Sequence, residues 1–250
     1  MKTLMRTLAF VAAVTAATSA ARAADVKVFC TNGVKAVVEE LLPQFEKTTG
    51  NKVAISYEPS TQIKKRIDAG EPFDLAMMTT ALIDAEIKAG KLQFESRRFV
   101  ARSGLGLSIR SGAKKPDVAT VDAFKKTLLG AKSITYATQG ASAAPFEALV
   151  AKLGIESQVK PKYNLRPTAS QVGEAVASGA AEIGVAPVSE ILPVKGVDLV
   201  GPFPKDVQSY VEITAAAGTS AKEKEAANKL IAFIVSPTNA ALIKAKGMER

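Results

Sequence analysis

VFCTNGVKAVVEELLPQFEKTTGNKVAISYEPS, residues 28–60, contains in one run a strand, a turn of small polar residues, a helix and a second strand. The apolar segment Val26 to Cys30 reads as the first strand, and Thr31, Asn32 and Gly33 form the turn. Val34, Val37, Val38, Leu41, Leu42 and Phe45 then recur at i, i+3, i+4 and i+7 spacing, the stripe of a helix with one buried face. That helix is predicted to reach about Thr48, with Pro43 expected to kink or break it late. Lys52 to Tyr57 returns to strand, and a helix from about Ser60 to Ala69 follows. A helix set between two such strands is the unit of a parallel sheet.

The alternation continues outward from this segment. Phe73 to Met78 is a third strand with a helix after it. RRFVARSGLGLSIRSG, residues 97–112, breaks the pattern: it is long, β-prone, carries Gly104 and Gly106, and has no helix behind it. It is read as a crossing into a second lobe. A second series runs through Thr120 to Leu129, Ser133 to Ala137, Ser142 to Leu153, Thr168 to Ser178 and Glu182 to Ala186. A β-like stretch from Val207 to Ala217 and helical segments Lys222 to Ile234 and Thr238 to Lys244 are expected to return to the first lobe. The predicted fold is α/β and two-lobed, each lobe a mostly parallel sheet flanked by helices, joined by two hinge crossings. The expected boundaries are 24–103 for lobe 1, 104–205 for lobe 2 and 206–250 for the return. A cleft between the lobes is the expected ligand site.

The N-terminus is set aside from this reasoning. Lys2 and Arg6 precede the apolar run Leu8 to Ala17, and the segment ends in Ala21-Arg22-Ala23. This is the pattern of a cleavable export signal, residues 1–23, which places the mature chain in the periplasm. The apolar core is far short of the roughly 20 residues of a spanning helix. Removing the signal leaves 227 residues and lowers the formal net charge from +9 to +6. A modest positive balance suits an anionic ligand. Nucleic acid is not an expected partner, because the chain has no Trp and its basic residues are scattered.

Cys30 is the single cysteine and histidine is absent. An internal disulfide is therefore ruled out, and Cys30 is expected to be a small buried residue at a strand end. Missing histidine removes the Ser-His-Asp and Cys-His triads and the usual zinc sites. Neither a cofactor nor a metal is expected, and the chain is expected to be a monomer.

Four strand-to-helix turns carry a small polar residue at the helix start: Thr31/Asn32, Ser60/Thr61, Ser142 and Thr168. Each can cap its helix, and Thr168 with Gln171 fits a capping box. Two turns fall in each expected lobe, at the carboxyl ends of strands where open α/β sheets bind ligands. Helix N-termini offer unpaired N–H groups and partial positive charge, so several aimed into one cleft form an anion site. Gly33 and Gly140 allow close backbone approach. The candidate ligand-binding set is thus Thr31, Asn32, Gly33, Ser60, Thr61, Gln139, Gly140, Ser142 and Thr168, with Arg102, near the first crossing, as a cationic clamp.

These residues carry a family resemblance. The order ADVKVF…GVKAVVEELLPQFEKTTGNKVAISYEPSTQIKKRIDAGEPFDLAMM…LIDAEIKAGKL resembles the substrate-binding proteins of ABC importers, in the type II fold of the molybdate-binding branch, over essentially the whole mature chain. The resemblance implies a small anion held by hydroxyls and backbone N–H groups, and an ABC permease of the inner membrane as partner. By position the donors match Thr31 or Asn32, Ser60, the turn from Gln139 to Ser142 and the segment from Thr168 to Val172. Asn32 stands where that branch usually has a serine, and Pro187 where it has a tyrosine. ARSGLGLSIRSGAKKPDVATVDAFKKTLLGAKSITY and EIGVAPVSEILPVKGVDLVGPFP are similar to an offshoot of exported proteins that includes aconitate isomerase. The favoured expectation is a binding protein, and the alternative is an isomerase of aconitate type on the same fold. A sensor subunit that presents bound ligand to a membrane receptor is a third. For the isomerase, Glu58 would supply the carboxylate and Lys35 and Arg102 the clamps for substrate carboxylates.

Overall fold

The computed structural model describes residues 24–250. The export signal read in residues 1–23 lies outside the described residues. The chain runs β1 (Asp25–Thr31), α1 (Lys35–Thr49), β2 (Lys52–Glu58), α2 (Ser60–Asp68), β3 (Leu75–Thr79), α3 (Thr80–Lys88) and β4 (Arg98–Arg110). It continues through α4 (Val121–Gly130), β5 (Ile134–Tyr136), α5 (Ala143–Lys152), α6 (Glu156–Val159), α7 (Ala169–Ser178), β6 (Ile183–Pro187), α8 (Val188–Ile191) and β7 (Val197–Pro202). The return is made by β8 (Tyr210–Ala217), α9 (Lys224–Ile234) and α10 (Ala240–Ala245).

The strands lie in the order β2-β1-β3-β8-β4-β6-β5, with β7 also paired to β4. β1 pairs in parallel with both β2 and β3, and β5 pairs in parallel with β6. β4 and β8 run antiparallel to their neighbours. β4 is the joint between the lobes. Its residues Arg98 to Gly104 pair with β8, and Leu105 to Arg110 pair with β6 or β7.

Alternation along β1 sends its side chains to two separate cores. Val26, Val28 and Cys30 join the larger cluster with Val37, Val38, Leu41 and Phe45 of α1, and Phe45 packs on Phe233 of α9 with ring centroids 5.6 Å apart. Phe29 points the other way, into a second cluster with Ile63 and Ile67 of α2, Met78 of β3 and Ile83 of α3. Burial on both faces is what a central parallel strand requires. In lobe 2, Phe124 of α4 and Phe146 of α5 both pack on Phe203.

Two local features differ from or add to the sequence reading. α1 reaches Thr49, close to the predicted Thr48, and Pro43 lies inside it without breaking it. Proline inside a helix costs about 3 kcal/mol, and burial of Leu41 and Phe45 on either side, at roughly 1.5–3 kcal/mol for each side chain, offsets it. α8 and β7 have no counterpart in the predicted series. Cys30 is fully buried, and that burial pushes its thiol far above the ordinary range. Among the described residues no single helix is long and apolar enough to cross a membrane, and no group of three acidic, thiol or imidazole side chains could hold a metal ion.

Candidate functional site

The carboxyl ends of β1 and β3, the turns after β2 and β5, and the starts of α7 and α8 open on one cavity of about 100 Å³. Lobe 1 supplies Thr31, Asn32, Gly33, Pro59, Ser60, Thr61, Thr79, Leu82 and Val211 to its wall. Lobe 2 supplies Gln139, Gly140, Ala141, Thr168, Ala169 and Glu190. Gln62 of α2 donates to the Gln139 side-chain carbonyl at 3.3 Å, so the two lobes touch across the opening.

Eight of the ten ligand-binding candidates therefore line one space: Thr31, Asn32, Gly33, Ser60, Thr61, Gln139, Gly140 and Thr168. Ser142 is buried behind Gly140 and is not on the wall. Arg102 is not on the wall either. Its guanidinium stacks 4.3 Å over the ring of Tyr210 and pairs with Glu249, whose backbone also bridges β4 at Arg102. Glu58 is ion-paired with Arg66, a guanidinium that also holds Glu71 and stacks 3.9 Å over Phe29. Lys35 sits over Tyr57 and near Glu39. The clamps and the carboxylate expected for an isomerase are thus held by partners outside the cavity, because each has an opposite charge or an aromatic face closer by.

The expected caps form at only one of the four turns. Thr168 and Gln171 make the full capping box, which leaves the Ala169 and Ser170 N–H groups of the first turn without a carbonyl in their own helix. Ser60 makes no cap. Its hydroxyl oxygen instead accepts the Thr79 N–H at 3.1 Å, tying the start of α2 to the end of β3. The hydroxyl hydrogen of Ser60 is then free to donate into the cavity that Ser60 lines. Ser142 makes no cap bond, and neither does Thr31. Hydroxyls and first-turn N–H groups not consumed by capping are donors for a bound anion.

Glu190 was not among the sequence candidates. It lies in the first turn of α8, three residues beyond Pro187, which ends β6 buried and adds no polar atom to the wall. Half-buried, the carboxyl is pushed up to about 7 by burial alone. Ser189 fixes its position: the Ser189 hydroxyl donates to the Gly33 carbonyl at 2.8 Å, and the Ser189 N–H donates to the Ser103 hydroxyl at 3.1 Å. A Cβ built on Gly33 would lie 3.6 Å from the Glu190 carboxyl and 3.5 Å from Ile213, so this turn packs closely against α8. The small polar residue at a helix start in EIGVAPVSEI is Ser189, and Glu190 stands next to it.

The comparisons with known proteins agree with this architecture. The family described as bacterial extracellular solute-binding proteins matches residues 26–249. An aconitate isomerase of Pseudomonas sp is 30% identical over 227 residues, covering 89% of this chain and 86% of that protein. The molybdate-binding protein ModA of Azotobacter vinelandii is 29% identical over 237 residues, 91% of each chain. The solved structure of the Azotobacter vinelandii periplasmic molybdate-binding protein superposes with a TM-score of 0.76 at 22% identity, covering 90% of this chain and 99% of that one. A family match spanning nearly all of the described residues, on the fold derived above, places this chain among the bacterial extracellular solute-binding proteins.

Proposed function

We propose that this chain is an exported solute-binding protein that closes its two lobes around one small anion and delivers it to an ABC permease of the inner membrane. The observation that carries the reading is the convergence of turns from both lobes on one cavity whose donors include the Ser60 hydroxyl and the first-turn N–H groups of α2 and α7. Neutral donors hold an anion without a buried counter-charge. Cleavage after Ala23 and a monomeric state belong to the same reading. Calorimetric titration with molybdate, sulfate and cis-aconitate tests it. One-to-one saturation by at least one of them is expected, and no binding of any would overturn it.

Glu190 favours a second reading, an exported isomerase of aconitate type. Interconverting cis- and trans-aconitate needs a proton removed from the methylene carbon, its electron pair spread over the allylic system, and a proton returned to the other terminal carbon. One carboxyl beside the substrate can do both steps, with no net gain or loss of atoms. Glu190 is the carboxyl on the cavity wall, and its acidity near neutral suits both halves of the transfer. Incubation with cis-aconitate, followed by proton NMR, separates an enzyme from a binder: trans-aconitate forms only with the former.

A further inference from the structure

Among the described residues, Glu190 is the one charged side chain on the cavity wall, and its sign opposes an anionic ligand. No hydrogen bond or ion pair reaches its carboxyl from any described residue, and burial alone shifts it. Charged groups on the elements packed around α8 are engaged elsewhere or turned away from it. Lys35 of α1 faces Glu39 and the Tyr57 ring, Arg102 of β4 faces Glu249 and Tyr210, and Lys246 after α10 pairs with Glu40. Asp198 of β7 accepts from Ser111 and the Gly112 N–H, Arg110 at the end of β4 lies against Gly179, and Glu212 of β8 is exposed. Among the described residues nothing therefore neutralises Glu190 by pairing. A carboxylate and an anion enclosed in about 100 Å³ repel each other in a site with little water to screen them. A neutral carboxyl removes the repulsion and adds a donor.

We propose that Glu190 is a ligand-contacting residue that enters the complex as the neutral acid and donates a hydrogen bond to the bound anion, so that one proton is taken up with each anion. The inference rests on the anion-cleft reading above and deepens it. The ligand presents an acceptor oxygen to α8, which is the chemistry of a fully ionised oxyanion or carboxylate. A hydroxyl or ammonium group at that place would call for an ionised Glu190 instead. Burial that lifts the carboxyl to about 7 makes the acid form accessible in neutral surroundings.

The test is titration of wild type and Glu190→Gln with molybdate and with sulfate, both fully ionised between pH 6 and 8.5, and with cis-aconitate. With only the acid form competent, wild-type affinity falls about 30-fold from pH 6 to 8.5. Titrations at pH 8 in PIPES and in imidazole, whose ionisation enthalpies differ, report uptake of roughly 0.9 proton per anion. Glu190→Gln binds with an affinity that does not change with pH and takes up no proton. Wild-type binding that is independent of pH, or that strengthens as pH rises, overturns the proposal while leaving the anion cleft intact. Failure of wild type to bind any of the three anions at any pH overturns both.

Discussion

Ser189 of α8 donates its hydroxyl hydrogen to the Gly33 carbonyl at 2.8 Å, a buried bond between the second lobe and the first turn of the first lobe. The same residue's N–H donates to Ser103 of β4, whose hydroxyl in turn donates to the Gly247 carbonyl at 3.0 Å. This chain of bonds holds the carboxyl of Glu190 beside the turn that lines the cavity. Ser189→Ala leaves the Gly33 carbonyl without that partner in a buried setting. It is expected to cost about 1–3 kcal/mol of stability in urea denaturation, and to weaken anion binding as the Gly33 turn loosens.

Ser60→Ala removes two different things. The Thr79 N–H loses its acceptor, which costs about 1 kcal/mol of stability. A bound anion loses a hydroxyl donor, which costs roughly 1.5–3 kcal/mol of affinity, or about 10- to 150-fold in Kd. Denaturation and calorimetry on the one variant check both figures. An affinity loss no larger than the stability loss would make Ser60 a purely structural residue.

Arg102→Lys is expected to leave anion affinity within about twofold of wild type and to lower stability by less than about 1 kcal/mol. The guanidinium is partly exposed, stacked on Tyr210 and paired with Glu249, and it lines no part of the cavity. Calorimetry with a bound carboxylate is the sensitive check, because a clamp on that ligand would lose its bidentate fork in this variant.

The folded chain without ligand should be less stable at alkaline pH because of Glu190. Its carboxyl is raised from 4.5 to about 7, so between those values the folded chain holds a proton that the unfolded chain has released. Unfolding free energy then falls as pH rises through that window, and the contribution is fully present below pH 4.5. Glu190→Gln removes the effect. Discounted for partial exposure of the side chain, the variant should exceed wild type by on the order of 2 kcal/mol at pH 8 and match it at pH 4. Urea denaturation of both proteins at the two pH values measures this difference, with the other carboxylates common to both.

The parts of the fold legible in the sequence are those with a period long enough to see. Val34, Val37, Val38, Leu41 and Phe45 define α1 by spacing, and the small polar residues after each strand mark turns that meet in space. α8 spans only Val188–Ile191, shorter than two helical turns, and β7 is half-buried on both faces from Val197 to Gly201, so neither shows a periodic pattern. Side-chain direction is the other limit. On β4, Arg102 and Ser103 point to opposite faces, and it is Ser103 that turns inward to α8 while Arg102 meets Tyr210. Proximity to a crossing gives no hint of that choice. Glu190 is neither small nor at a turn with a recognisable period, and only its burial beside Gly33 makes the residue interpretable.

The most direct test of the cavity as the binding site is to fill it. Ala169, at the start of α7, lines the wall, and leucine is a good helix former, so Ala169→Leu should keep the fold while occupying much of the roughly 100 Å³ available. Calorimetric titration of wild type and this variant with molybdate, sulfate and cis-aconitate is the measurement. The account predicts one anion bound per wild-type chain and at least about a 30-fold loss of affinity in the variant, roughly 2 kcal/mol, with an unchanged circular dichroism spectrum. Equal affinity in the two proteins would place the anion elsewhere and contradict the account.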